Sequence, residues 1–260
     1  MRKQKQPGHN IGRSRPSIAY ELKYRKTLQS LVAEMRADIQ KVLEEYQRKH
    51  VYDASSPLRM IFSKLRDKWY IRFEKVGRVL AQWFAEATDK RTKKQISRKM
   101  KEVGWTLSPN YNSTDKTLIL EIINNNIELI KTIPQQYLHN LQKVVTQAFI
   151  EGGNMGKITK VIEHIGTVAN NRAALIARDQ TNKATQQLAA VNAKAFGATK
   201  GRWIHVPGKY SSRRTHIAMD KKVFLLDEGL YDSSVGRNVK PGELIYCNCQ
   251  FEVLLPGFDD

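Results

Sequence analysis

Cys247 and Cys249 are the chain's two cysteines, one residue apart, and His205 and His216 precede them in the same C-terminal stretch. Thiolate sulfur and imidazole nitrogen are the usual ligands of structural zinc, so His205, His216, Cys247 and Cys249 form a candidate set. The spacing weighs against it. Cys-x-Cys is a less usual knuckle than Cys-x2-Cys, and the histidines lie far from the thiols in sequence. The favoured expectation is that two small thiols pack against Trp203 while hydrogen bonds hold His216, with no metal and no cofactor.

A catalytic reading of the same stretch combines His216 and Glu243 as an acid–base group with Arg213 as an anion clamp. Cys247 would act as a nucleophile only with a depressed pKa. No local spacing pairs these residues, no glycine loop is shaped to cradle phosphate, and no carboxylate cluster awaits Mg2+. A non-enzymatic role is expected.

The charge balance points to a partner. Lys and Arg number 44 against 25 Asp and Glu, a formal +19, and such an excess favours a polyanion, most often nucleic acid. One group of cations is Arg2, Lys3, Lys5, Arg13 and Arg15. Another is Lys90, Arg91, Lys93, Lys94, Arg98, Lys99 and Lys101, with no acid between Asp89 and Glu102. Both sets suit the phosphates of double-stranded DNA, bound by counterion release without sequence preference. The competing reading of the second set is a solvated helix face.

The elements that would position these residues read as α+β: a mostly helical elongated bundle followed by a small C-terminal β-containing cap. Residues 1–16 are expected to be a disordered basic arm, too poor in apolar side chains to offset their ordering entropy. Residues 17–200 are expected to be helical. Leu22, Leu28, Leu31, Val32, Met35, Ile39, Val42, Leu43 and Tyr46 recur at three- and four-residue steps, as do Leu58, Ile61, Phe62, Leu65, Trp69, Phe73, Val76, Leu80 and Phe84. The aromatics of the second stripe are expected in the core rather than stacked on bases. Ile96, Met100 and Val103 mark a short separate helix. Pro134 is expected to open a helix after the one over 116–131, and residues 157–165 and 168–196 are read as two further helices. In residues 201–260, Trp203–Val206, Leu244–Tyr246 and Phe251–Leu255 are expected to be strands among glycine and proline turns.

No apolar run reaches the roughly 18–20 residues of a membrane span, and the basic N-terminus lacks the apolar core of a signal peptide. Synthesis in a cytoplasm is expected, in agreement with two cysteines too close to form a disulfide framework.

The order Trp203, Arg213-x-x-His216, Asp220, Val223-Phe224, Pro241-Gly242-Glu243 and Cys247-x-Cys249 resembles the phage Mu F-like family, the minor head or head-morphogenesis proteins of tailed bacteriophages. Two upstream segments agree: residues 126–134, and Ile176-Ala177-Arg178-Asp179-Gln180-Thr181. The similarity runs over about residues 60–257 and is most specific over 172–256. Two departures stand out. Asn248 occupies the arginine position of the usual Cys-Arg-Cys, and Lys221 follows Asp220 where glycine is frequent.

The resemblance implies a virion component at the portal vertex or capsid interior, made in the host cytoplasm. Its partners would be the portal protein, the major capsid protein or both, together with packaged DNA, and it would aid head assembly and DNA delivery. Arg178, Asp179, Trp203, Arg213, His216, Pro241, Gly242, Cys247 and Cys249 would form its structural motif. Two alternatives remain at this level: a nuclease or nucleotide-modifying enzyme centred on His216 and Arg213, and a basic adaptor with a structural zinc cap.

Overall fold

A computed structural model describes residues 10–49, 56–104, 108–110, 113–151, 155–208 and 211–255. Arg2, Lys3 and Lys5 of the expected arm lie outside the described residues. In chain order the elements are β1 (Asn10–Arg13), α1 (Ile18–Lys49), α2 (Ser56–Glu102), α3 (Ser113–Ile150), α4 (Met155–Lys194), β2 (Lys200–Ile204), α5 (Arg214–Ala218), β3 (Val223–Leu225), β4 (Leu230–Asp232), β5 (Arg237–Val239) and β6 (Gln250–Leu254). The class is α+β, mostly helical with a C-terminal β region. No helix among the described residues is long and apolar enough to cross a membrane.

The chain forms two compact units, one of residues 19–82 and 123–178, the other of 1–18, 83–122 and 179–260. The change from helices to strands near residue 200 therefore does not coincide with the division between units. The reason lies in the second core, which takes Ile96 and Met100 from α2, Ala189 and Ala193 from α4, and Ile11 from β1, alongside the strands.

The first unit is helical. Leu28, Met35, Ile39 and Leu43 of α1 and Phe62 and Phe73 of α2 are fully buried, with Trp69 nearly so, as their helical spacing requires. Two side-chain hydrogen bonds tie its helices together. The Tyr24 hydroxyl donates to Asn126 Oδ1 at 2.6 Å, and Trp69 Nε1 donates to Asp38 Oδ2 at 2.8 Å.

Three expected helix breaks do not occur. Pro134 lies inside α3 rather than at a helix start, because the buried Ile130, Ile133, Tyr137 and Leu138 keep one apolar face continuous across it. Nearby, the Thr132 hydroxyl donates to Leu129 O and accepts from the Arg172 guanidinium at 2.7 Å. Residues 157–165 and 168–196 are not two helices but belong to α4, which runs through Gly166. A Cβ there would stand 3.1 Å from Arg36 Cδ, so the glycine serves packing rather than termination.

The short helix expected around Ile96 is the end of α2. No Gly or Pro interrupts residues 87–95, and Thr88 and Thr92 turn their hydroxyls back onto the carbonyls four residues earlier. Ile96 and Met100 are buried, but Val103 is 37% exposed and does not face inward.

The second unit carries a four-stranded antiparallel sheet in the order β1-β6-β2-β3 and a separate β4-β5 pair. β1 overturns the expected mobile arm for residues 10–13: its pairing with β6 and the burial of Ile11 supply the surface that composition alone does not promise. β2 begins and ends earlier than expected, since beyond Ile204 the His205 N–H leaves the ladder for Asp220 Oδ1 at 2.8 Å. The expected strand Leu244–Tyr246 is a turn, with Tyr246 at φ 62° and the Cys247 N–H bonded to Leu244 O.

Lys221 also occupies the left-handed region, at φ 66°. A Cβ in this conformation costs about 1 kcal/mol. Lys221→Gly is expected to raise stability by up to about that amount in denaturant unfolding, while Lys221→Ala leaves it near the starting value.

Candidate functional site

Trp203 organises the C-terminal core. The β2–β6 register sets it opposite Phe251, and it is fully buried. Its ring meets Phe224 edge-on with centroids 6.0 Å apart, and His216 at 5.3 Å. His216 comes from the short helix α5, which turns it inward to 2% exposure.

Both ring nitrogens of His216 are committed. Nε2 lies 3.0 Å from Asp232 Oδ2 at the end of β4. Asp232 is fully buried, and its other oxygen accepts from the Ser234 N–H at 2.9 Å and the Ser234 hydroxyl at 2.7 Å. An ionised carboxylate only accepts, so Nε2 carries the proton and Nδ1 presents a lone pair. That lone pair faces Cys247 Sγ at 3.3 Å and Cys249 Sγ at 3.7 Å. His205 Nδ1 lies 3.6 Å from Cys249 Sγ.

The electrostatics follow from these contacts. Burial pulls the His216 pKa down, but the Cys247 hydrogen bond and the charges of Cys247 and Asp232 outweigh it, and the net shift is upward. Burial pushes Asp232 up, yet the two Ser234 bonds and His216 hold it below the usual carboxylate range. The two thiols share a proton. Cys249, helped first by the Cys247 hydrogen bond and against the opposing effect of burial, is pulled down to about 7, whereas Cys247, on the other side of that bond and itself buried, is pushed up.

A row of polar side chains on α4 clasps the loop that bears the cysteines. Asp179 Oδ1 accepts from the Tyr246 N–H at 2.9 Å; burial raises its pKa, and Lys183 and Arg213 partly offset that. Asn182 Nδ2 donates to Cys247 O at 2.8 Å and to Cys249 O at 3.2 Å. Gln186 Nε2 reaches Ser14 O at 3.2 Å, beside β1. Pro241 and Gly242 are buried, and Gly242 lies against this row: a Cβ on it, at φ 78°, would stand 2.9 Å from Asn182 Nδ2. Arg213 donates to Ile245 O at 3.0 Å, and Arg178 is half-buried one residue before Asp179. Glu243 binds Arg237 and the Lys240 N–H rather than His216, so the suggested acid–base group is not assembled.

Residues 139–252 match the family described as Phage Mu protein F like protein. This region of the chain is Mu F-like. The matched span includes Trp203, His216, both cysteines and the clasping row on α4. An uncharacterized protein of Haemophilus influenzae is 28% identical over 250 residues, covering 92% of this chain and 54% of that protein, so the chain spans about half the length of this relative. No solved structure matches.

Beside the Mu F-like core lies a basic cleft of about 630 Å³ lined by Arg13, Arg15, Arg91 and Lys99, with Glu252 on one wall. β1 delivers Arg13, the last part of α2 delivers Arg91 and Lys99, and Lys99 Nζ donates to Arg13 O at 3.2 Å. Burial, followed by the charge of Arg98, lowers the Lys99 pKa, with Arg15 adding to the effect. Arg91 Nε is buried without a hydrogen-bond partner among the described residues. The other cations of the run point elsewhere. Lys90, Lys94, Arg98 and Lys101 lie outside the cleft lining, and Lys93 and Arg98 are neutralised by Asp89 and Glu102.

Sequence reasoning passed over Asp232, Asn182 and Gln186. A signal for the last two existed: polar residues recur at three- and four-residue steps on an otherwise apolar helix, the spacing of one buried face. Asp232 had no comparable mark beyond the Asp-Ser-Ser turn that holds it.

Proposed function

We propose that this chain is a minor head, or head-morphogenesis, protein of a tailed phage that serves without enzymatic activity. It is made in the host cytoplasm and resides in the virion, at the portal vertex or the capsid interior. It binds portal or major capsid protein and touches packaged double-stranded DNA without reading its sequence. The observation that carries the DNA half is the cleft: Arg13, Arg15, Arg91 and Lys99 come from distant stretches of sequence and converge on one concavity, the arrangement that recruits phosphate oxygens and releases counterions. The Mu F-like match over residues 139–252 supports the structural role. The burial of His216, with both ring nitrogens engaged inside the core, supports a packing or ligand role over a base acting on substrate.

DNA contact has a quantitative signature. Each phosphate neutralised adds about −0.9 to the slope of log affinity against log salt on duplex DNA. In salt titrations on unrelated duplexes, Arg15→Gln/Arg91→Gln is expected to lower the slope by about two and to weaken binding equally for every sequence. Absence of binding by the parent chain at low salt removes the DNA contact. For the assembly role, the chain is expected to co-purify with portal and capsid proteins from cells producing the virion, and its absence from the purified particle would overturn that role.

A further inference from the structure

Sulfur and nitrogen atoms converge in the buried core beside Trp203. His216 Nδ1, Cys247 Sγ and Cys249 Sγ all lie within 4.8 Å of one another. Cys249 Sγ also faces His205 Nδ1 at 3.6 Å. With His216 Nε2 protonated toward Asp232, its Nδ1 brings only a lone pair. A soft divalent cation is the natural occupant of such a convergence of sulfur and nitrogen donors.

The distances fit one. At tetrahedral zinc, with Zn–S about 2.3 Å and Zn–N about 2.05 Å, a sulfur and a nitrogen ligand stand about 3.6 Å apart. Three of the four sulfur–nitrogen separations of such a set are 3.3, 3.7 and 3.6 Å, and His205, which reaches Cys249, stands outside the three residues whose ligand atoms all lie within 4.8 Å of one another, so it would have to draw in to complete the set. Two thiolates with two imidazoles form a ligand set that selects zinc over magnesium or calcium. The surroundings are those of a metal site as well. Asp232 holds His216 from behind in the carboxylate–histidine arrangement that orients zinc ligands. Asn182 fixes the loop through the carbonyls of both cysteines.

We propose that Cys247, Cys249 and His216, with His205 as fourth ligand, bind one structural zinc ion. Spacing alone favoured plain packing, because Cys-x-Cys is a short knuckle; the folded chain supplies the missing ligands from α5 and the end of β2. Four protein ligands leave no open coordination position, so the ion would hold the core rather than carry out chemistry.

The test uses the full chain purified under reducing conditions. Elemental analysis is expected to find about one zinc per chain. Replacement by Co2+ is expected to give the intense visible bands of a tetrahedral site and near-ultraviolet thiolate charge transfer. Cys249→Ser is expected to abolish both, and Asp232→Asn to weaken zinc about 10- to 100-fold in chelator competition. Protein that takes up no zinc when refolded with Zn2+ and reduced thiols would overturn the proposal, as would Cys249→Ser protein that keeps full occupancy. Should Cys249→Ser fail to fold, the Co2+ spectrum of the parent chain decides: weak octahedral bands without charge transfer overturn the proposal, and tetrahedral thiolate bands sustain it. None of these readouts depends on DNA binding or head assembly.

Discussion

Trp203→Ala is expected to lower the unfolding free energy of the unit that contains the C-terminal sheet by about 3–5 kcal/mol. The indole is fully buried, and its faces and edges touch Phe224 and His216, so truncation empties a space bounded on several sides. Collapse into that space is restricted. Trp203 sits mid-sheet, with its backbone in register with Phe251 and bonded to Lys222 O, so neither strand moves without breaking the ladder. On the remaining side His216 is tied to Asp232. Partial relaxation is the condition under which cavity costs are highest. Denaturant unfolding followed by far-ultraviolet circular dichroism measures the loss. Ile217→Ala is the matched control: Ile217 is 50% exposed, and its truncation is expected to stay within about 0.5 kcal/mol. A loss under about 1 kcal/mol for Trp203→Ala would mean that the core does not close around the indole.

The second large effect belongs to a glycine. Gly229→Ala is expected to cost about 3 kcal/mol or more, combining a left-handed backbone with overpacking. Gly229 sits at φ 81°, and its N–H bonds to Leu225 O in the tight turn between β3 and β4. A Cβ there would stand 2.2 Å from Val239 O and 2.7 Å from Val239 C, and backbone cannot swing aside as a side chain does. The only relief is to separate β4 from β5, where Leu230 pairs with Val239. β4 ends at Asp232, the residue that holds His216, so the damage reaches the cysteine–histidine core. Gly236→Ala separates the two causes. Gly236 has φ 70°, but a Cβ added there would meet nothing within 4 Å among the described residues, so its replacement should cost only about 1–2 kcal/mol. Equal losses at the two sites would exclude close backbone approach as the reason.

What local patterns encode was legible in the sequence, and what long-range contacts decide was not. Helical periodicity put Leu28, Met35, Ile39, Phe62 and Phe73 on inward faces, and all are fully buried. Local patterns also suggested breaks near Ala87, at Pro134 and at Gly166, yet α2, α3 and α4 pass through all three. A breaker acts over one turn and costs a few kcal/mol at most, while an apolar face packed along many turns outweighs it. β1 illustrates the opposite error. Asn10–Arg13 is polar and short, and only the edge of β6, some 240 residues later, makes it a strand.

By itself the sequence determined the helical periodicity, the cationic excess and the order of Trp203, His216, Cys247 and Cys249 within the Mu F-like stretch 139–252. Each depends on residue type and order alone. Tertiary structure alone decided that His216, Cys247 and Cys249 face one another over Asp232, that Asn182 and Gln186 turn inward, and that Arg13 meets Arg91 across one cleft. The physical reason is that hydrogen bonding and desolvation depend on distance in space, and distance along the chain does not constrain distance in space until the whole chain has packed.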